Sequence, residues 1–231
     1  MVEMGNFSGT TDRNIDLVFC IDGTGSMSGI IDNLKRHAKR FKTELTEALV
    51  EANTNITSLR IKVITFRDYY DDPDAMVESR FFELPVDQAD FEREIDSIDA
   101  HGGGDAPENG LEALYLAMKS DFYTGDKDRQ IIVLFTDADA IPLKDRAGCP
   151  DYPADMVDWH DFCEIWAGAQ SSLKLRSRLK RLILFAPLGT KYETDFKWNR
   201  VTYVPVEPRE GLKELDFSVV IKEIVKSATA I

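Results

Sequence analysis

The stretch IDLVFCIDGTGS, residues 15–26, begins as a mostly apolar strand and ends in a turn of small polar residues. The turn places one carboxylate, Asp22, and two hydroxyls, Thr24 and Ser26, directly after the predicted strand 15–21. Alternate residues of an extended turn point the same way, so these three side chains can converge on one point. All three offer oxygen ligands, which suit hard cations such as Mg²⁺ and Mn²⁺ better than zinc or copper. The sequence therefore predicts an oxygen-lined site at the carboxyl end of its first strand.

Further apolar runs alternate with segments of helical periodicity, which is the order of a mostly parallel sheet wrapped by helices. Apolar residues at three- and four-residue steps predict one amphipathic helix over residues 28–52. We predict strands at residues 59–66, 81–85, 130–136, 181–186 and 201–206, and further helices at residues 88–98, 108–119 and 215–227. The predicted fold class is α/β: a doubly wound, Rossmann-like, mostly parallel sheet flanked by helices, with one short antiparallel edge strand.

The length of 231 residues fits one large domain better than two small ones. We expect an amino-terminal extension over residues 1–14 and a single domain over residues 15–231. An insertion loop at about residues 138–169 is rich in Pro, Asp and aromatic residues and is too long for a simple connection. Its tryptophans, Trp159 and Trp166, are expected to cover the sheet edge or a small core of their own. The loop remains a candidate recognition surface.

The formal net charge is -13, from 41 acidic and 28 basic residues, so the field of the protein repels phosphate backbones and anionic lipids. We therefore expect neither nucleic acid nor a membrane as a partner. The sequence shows neither a long apolar run nor a secretion signal, so a cytoplasmic location is expected. Cys20 is expected in the core. Cys149, His160 and Cys163 could bind zinc, but their spacing fits no standard zinc motif.

Two further acidic segments are predicted to reach the same edge of the sheet. Asp137 follows the strongly apolar strand 130–136, and Asp105 follows a run of three glycines. Ligands of open α/β sheets usually bind beyond the carboxyl ends of the strands, so these segments could meet Asp22 there. Asp139 is expected to lie behind the site or in solvent, and the acidic loop at residues 68–74 is expected to be a solvated surface.

From residue 15 to the terminal helix, the order of elements and the placement of motifs resemble those of von Willebrand factor A domains. The metal-ion-dependent adhesion site of that family uses Asp-x-Ser/Thr-x-Ser, then a Thr, then an Asp. Asp22, Thr24, Ser26 and Asp137 match the first, second, third and last of these positions. The resemblance implies one Mg²⁺, Mn²⁺ or Ca²⁺ ion at this site and a protein partner that brings an acidic side chain to the metal. It does not identify the partner or the oligomeric state.

The segment HGGGDAPE, residues 101–108, resembles a branch of the family in which Asp replaces the usual Thr of the site. This branch is found in bacterial intracellular proteins and in kinase-associated A domains. The resemblance implies that Asp105 contacts the metal directly or through water. Asp105 and Glu108 also form an Asp-x-x-Glu capping box, so a helix cap is the alternative role of Asp105. Thr24 and Ser26 could likewise cap the helix that follows them.

Hydrolysis and nucleotide binding are the alternative functions. Asp22 followed by Gly-Thr resembles the nucleophile of haloacid dehalogenase-like phosphatases, but these need a second Asp where this chain has Thr24. Gly23 and Gly25 suggest a dinucleotide-binding loop, but the third glycine, Gly29, comes one residue late. No paired acid and base is found. We therefore expect a divalent-cation-dependent protein-binding module rather than a metal-dependent hydrolase.

Overall fold

A computed structural model describes residues 10–103, 107–170, 172–206 and 215–230, and this part of the chain forms an α/β sheet with helices on both faces. The strands are β1 (Thr11–Asp22), β2 (Thr54–Phe66), β3 (Met76–Glu78), β4 (Phe82–Leu84), β5 (Asp128–Phe135), β6 (Lys180–Pro187) and β7 (Val201–Val206). The helices are α1 (Ser28–Ala38), α2 (Phe41–Glu51), α3 (Gln88–Ser97), α4 (Gly110–Met118), α5 (Trp159–Ala167), α6 (Lys191–Thr194) and α7 (Phe217–Thr229). A 3₁₀ turn, Gly25–Met27, joins β1 to α1.

The strand order is β3-β2-β1-β5-β6-β7, with β4 also paired to β2. From β2 to β7 along this order, each strand is parallel to the next. The short strands β3 and β4 run antiparallel to β2. The predicted fold class is confirmed. The antiparallel edge contains β4, within the predicted strand 81–85, and also β3, which the sequence analysis did not predict.

The helix predicted over residues 28–52 is two helices, α1 and α2, separated by a turn. The Arg40 N–H donates to the His37 carbonyl at 2.9 Å, a tight three-residue bond at the end of α1. The apolar spacing continues across the break, because Ala38 and Phe41 are both buried. Periodicity therefore could not distinguish one long helix from two consecutive ones.

Both faces of the sheet are buried, and alternate residues of β1 show this directly. Phe19 packs in a core with side chains of α1, α2, α3 and α7. Cys20 packs in a second core with side chains of α4 and α5. Cys20 is 0% exposed, so its predicted core position is confirmed.

The predicted insertion carries α5 and contributes aromatic side chains to the second core. The ring of Trp159 stacks on Phe162, with centroids 5.4 Å apart and an interplanar angle of 17°. Trp166 is buried, and its indole N–H donates to the Asn199 carbonyl at 3.3 Å. These tryptophans have the structural role that was predicted for them.

The acidic loop after β2 is not the fully solvated surface that was predicted. Asp68 is 2% exposed and accepts two hydrogen bonds of 2.8 Å from the guanidinium of Arg146, in the insertion. Burial raises the pKa of Asp68, but its bonds to Arg146 and to the Tyr70 N–H bring the pKa below its usual value overall. Asp72 of the same loop is also buried, and its carboxylate accepts from the Gly103 N–H at 3.3 Å. The partners of these aspartates are distant in sequence, so local charge density gave the wrong prediction.

The first strand begins earlier than predicted. β1 starts at Thr11, so residues 11–14 belong to the sheet rather than to the expected extension. Residues 1–9 lie outside the described part of the chain. Among the helices in the four described ranges, none is long and apolar enough to cross a membrane.

Candidate functional site

The loops after β1 and β5 bring four of the predicted ligands together, because these two strands are adjacent and parallel. The Thr24 hydroxyl donates to Asp22 Oδ1 at 2.6 Å. The Oγ atoms of Thr24 and Ser26 are 3.3 Å apart, and Ser26 Oγ donates to Asp137 Oδ1 at 3.0 Å. Asp22, Thr24, Ser26 and Asp137 therefore form a continuous chain of oxygen contacts at the carboxyl end of the sheet.

Asp22 lies at the buried end of this chain of contacts and is 0% exposed. Its Oδ2 accepts from the Thr136 hydroxyl at 2.7 Å, and its Oδ1 also accepts from the Thr24 N–H at 3.0 Å. Burial raises the pKa of Asp22 to about 6, against the opposing effect of these hydrogen bonds, and the nearby charge of Asp137 raises it further. None of the ion pairs within the described ranges involves Asp22 or Asp137. The two carboxylates thus have hydrogen-bond donors but no neutralising side chain there.

The alternative role of the hydroxyls, as helix caps, is not found. Thr24 precedes the 3₁₀ turn and Met27 precedes α1, and neither position has a side-chain capping bond. Both Thr24 and Ser26 direct their hydroxyls toward carboxylates instead. Their contacts are those of a polar site rather than of a helix start.

Glu108 also lies in this site, although the sequence analysis assigned it only to a helix cap. It lines a cavity of about 160 Å³ whose walls are Thr24, Gly25, Ser26, Gly103, Glu108, Asp137 and Ala138. Glu108 is 3% exposed, and its buried Oε2 has no hydrogen-bond partner among the residues that the structure describes. Burial, and then the negative charges of four nearby aspartates, raises the pKa of Glu108 to about 9. The carboxyl group of Glu108 therefore faces the same cavity as Thr24, Ser26 and Asp137.

Glu108 was missed because the start of α4 was predicted two residues too early. The helix begins at Gly110, and Glu108 lies before it. The Glu108 N–H donates to the Asp139 carbonyl at 3.0 Å, and the Glu108 carbonyl accepts from Ile141 at 2.9 Å, which holds Glu108 beside the loop after β5. Asn109 was the available signal, because it is a favoured residue immediately before a helix. Choosing Asn109 as the cap would have left Glu108 outside the helix.

Asp105, the fifth predicted ligand, lies in residues 104–106, outside the described residues. The capping box required both Asp105 and Glu108 at the start of the helix. It is wrong for Glu108, which lies outside α4. Because α4 begins at Gly110 and is preceded by Asn109, the capping alternative is wrong, and a metal contact remains a prediction for Asp105.

Arg67 holds the turn after β1 through hydrogen bonds, a role that the sequence analysis did not predict. Its guanidinium donates to the carbonyls of Gly23 at 3.1 Å, His101 at 3.2 Å and Asp99 at 2.8 Å. A Cβ atom at Gly23 would lie 2.8 Å from Arg67 Cζ, so this close packing requires glycine. The charge of Arg67 is paired with Asp74 at 3.0 Å. Arg67 therefore joins the turn after β1 to the segment before the glycine run.

Asp139 and His101 have structural contacts near the site. Asp139 Oδ1 accepts from the Lys191 N–H at 2.8 Å and from the Ala140 N–H at 2.7 Å, which ties the loop after β5 to the start of α6. The His101 N–H donates to the Gly23 carbonyl at 3.1 Å, and its ring lies 3.3 Å from Asp74. Neither side chain lines the cavity.

In the part of the chain that the structure describes, no group of three or more His, Cys, Asp or Glu side chains is arranged to hold a metal ion. Zinc binding by Cys149, His160 and Cys163 therefore finds no support. The site after β1 differs in kind, because hydroxyls make up half of the four predicted ligands that it brings together. Any cation there would depend on Thr24 and Ser26 as well as on carboxylates.

Comparisons with known proteins bear on the family and the fold of the chain. The family model described as von Willebrand factor A domain matches residues 16–147. No curated protein matches the chain. A crystal structure of the pilus adhesin SpaC from Lactobacillus rhamnosus GG, in an open conformation, is similar with a TM-score of 0.54 and 11% identity, over 93% of this chain and 30% of that chain. A von Willebrand factor type A structure from Catenulispora acidiphila has a TM-score of 0.48 and 11% identity, over 94% of this chain and 43% of that chain. This chain spans less than half the length of either, and the likeness to the adhesin is one of fold.

Proposed function

The chain belongs to the von Willebrand factor A domain family, whose members are typically protein-interaction or adhesion modules, and we propose that it binds a protein partner through one divalent cation. The cation would be held after β1 and β5 by Asp22, Thr24, Ser26 and Asp137. Mg²⁺ is the proposed ion, with Mn²⁺ and Ca²⁺ as substitutes, because the donors are all oxygens. The proposed role is binding rather than catalysis.

The chain of contacts from Asp22 to Asp137 is the observation that carries this proposal. Asp22 and Asp137 form no ion pair with a cationic side chain among the described residues. Their two negative charges therefore match the charge of one divalent ion. Each hydroxyl in the chain donates its hydrogen to a carboxylate, which leaves its oxygen lone pairs available to a cation. The residues present therefore suit a hard divalent ion, because each of them offers an oxygen ligand.

The exposed side of the site suits a partner. Gly25 and Ser26 are exposed and Asp137 is half-buried, whereas Asp22 and Thr24 are buried. When bound, the cation would supply a position for an oxygen ligand from outside, and the family resemblance suggests an acidic side chain in that position. Partial burial strengthens such a contact because water competes less. The protein's own residues would hold the ion and leave the Ser26 side open.

We expect immobilised protein to retain a partner from a lysate of its source cells in Mg²⁺ and to release it in chelator. Asp22→Asn should retain as little in Mg²⁺ as wild type does in chelator, because it removes a negative charge from the buried end of the site. Asp96→Asn is the matched control, since Asp96 is an exposed residue of α3. It should behave as wild type. Retention that is the same with and without the cation would contradict the proposal.

We also expect no metal-dependent turnover of phosphomonoesters, nucleotides or esters above the rate of Asp22→Asn. A phosphatase of the haloacid dehalogenase type needs a general acid two residues after its nucleophile. Thr24 stands there, and its hydroxyl donates to Asp22. Assays with saturating Mg²⁺ and a chromogenic phosphate ester can measure this. Turnover that disappears in the variant would replace the binding proposal with a hydrolase.

A further inference from the structure

The buried carboxyl group of Glu108 has no role in the four-residue site proposed above. Among the described residues, its Oε2 lacks a hydrogen-bond partner, and none of the ion pairs there involves Glu108. Leaving such a group without a partner costs free energy, because burial removes its hydrogen bonds to water. Buried carboxyl groups therefore usually have a donor or a positive charge beside them. The group nevertheless lines the cavity that Thr24, Ser26 and Asp137 also line. Its position calls for a positively charged ligand in that cavity.

The backbone holds Glu108 at the site independently of any ligand. Its N–H and carbonyl are bonded to residues 139 and 141 of the loop that carries Asp137. Glu108 therefore keeps its place relative to Asp137, while its Oε2 has no hydrogen-bond partner among the described residues. This is the arrangement of a ligand that is positioned in advance rather than of a structural carboxylate.

We propose that Glu108 is a direct ligand of the divalent cation and that it makes the loaded site negatively charged. This inference rests on the proposed function. In the structure, Glu108 shares one cavity with Thr24, Ser26 and Asp137, and no cluster of three carboxylates is found there among the described residues. Metal ligands bind in their deprotonated form, so Glu108 would lose its proton when the cation binds.

A charge count gives the consequence for the partner. Asp22, Asp137 and Glu108 bring three negative charges to one divalent ion, which leaves a local sum of about −1. Glu108 then strengthens cation binding and weakens the approach of a further carboxylate. Removing its charge should therefore shift the two affinities in opposite directions.

Calorimetric titration with Mn²⁺ tests the direct contact. Glu108→Gln, which keeps the size of the side chain, should bind Mn²⁺ at least about tenfold more weakly than wild type. The matched control is Glu112→Gln. Glu112 is 0% exposed and also has an unpartnered oxygen, but it lies outside the cavity and accepts a hydrogen bond from Tyr152 at 2.8 Å. This control should bind Mn²⁺ within about twofold of wild type, because only distant charge is removed.

The outcomes separate the two proposals. If wild type binds no Mn²⁺, the proposed function is wrong, and this inference is wrong with it. If wild type binds Mn²⁺ and Glu108→Gln binds it equally well, only the inference is overturned. Equal weakening in both glutamine variants would mean that Glu108 acts through its charge at a distance, which also overturns direct contact. Glu108→Asp is a second variant that keeps the charge but shortens the side chain. Weakened binding supports contact, and unchanged binding opposes it.

Acetate is the probe for the affinity of the cation-loaded site for a carboxylate. It should bind the Mn²⁺-loaded Glu108→Gln protein more tightly than the loaded wild type, as measured by the relaxation of water protons at the ion. Acetate binding that is equal or weaker in the variant would overturn the charge argument.

Discussion

Saturating Mn²⁺ should raise the melting temperature of the wild-type protein and leave that of Asp22→Asn unchanged. A ligand that binds only the folded state stabilises it by about 4 kcal/mol when its free concentration is about a thousandfold above Kd. The variant should still fold, because its amide can donate to the Thr136 hydroxyl, which now donates to Asp22 at 2.7 Å. It would lack the charge that holds the ion.

Thermal unfolding followed by circular dichroism, in chelator and in Mn²⁺, measures this difference. Asp96→Asn should keep the full shift, because it removes the same charge from an exposed helical position. Equal shifts in wild type and Asp22→Asn would place the stabilising ion elsewhere. The experiment separates cation binding from partner binding, since no partner is present.

Arg60→Ala is expected to lower the free energy of unfolding by about 3–5 kcal/mol, because it leaves a buried carboxylate without its partner. Asp16, on the neighbouring strand, is 2% exposed and accepts from Arg60 at 2.8 and 2.6 Å. The Arg60 guanidinium also lies 4.5 Å from the centre of the Phe81 ring and 3.3 Å from that of Tyr123. The substitution removes both the ion pair and these aromatic contacts.

Urea denaturation measures this loss of stability. The double variant Asp16→Leu with Arg60→Met should recover most of the stability, since it replaces the charged pair with apolar side chains of similar size. A loss below about 1 kcal/mol in Arg60→Ala would mean that water reaches Asp16 in the folded protein. The argument from burial would then fail.

The sequence predicted the parallel sheet and most of the candidate site because both depend on short-range patterns. Asp22, Thr24 and Ser26 follow one strand within five residues. Asp137 follows another buried strand, and adjacent parallel strands bring such ends together. The proximity of these four residues could therefore be predicted from the strand ends alone.

The remaining features depend on contacts between distant positions or on where a helix begins. Glu108 was assigned to a helix because it forms an Asp-x-x-Glu capping box with Asp105, whereas α4 begins at Gly110. Arg67 was not predicted because its hydrogen bonds reach carbonyl groups more than 30 positions away, which side-chain patterns do not reveal. The role of Asp105 remains a prediction.

The bond between Arg146 and Asp68 has a consequence for how this family member can diverge. The insertion supplies the counterion of a buried carboxylate that lies on a different loop. A relative that shortened the insertion and lost the arginine would leave the buried carboxylate without a counterion, unless an uncharged residue replaced Asp68 at the same time. The two positions should therefore be inherited together, and alignments of close homologues should show them changing as a pair.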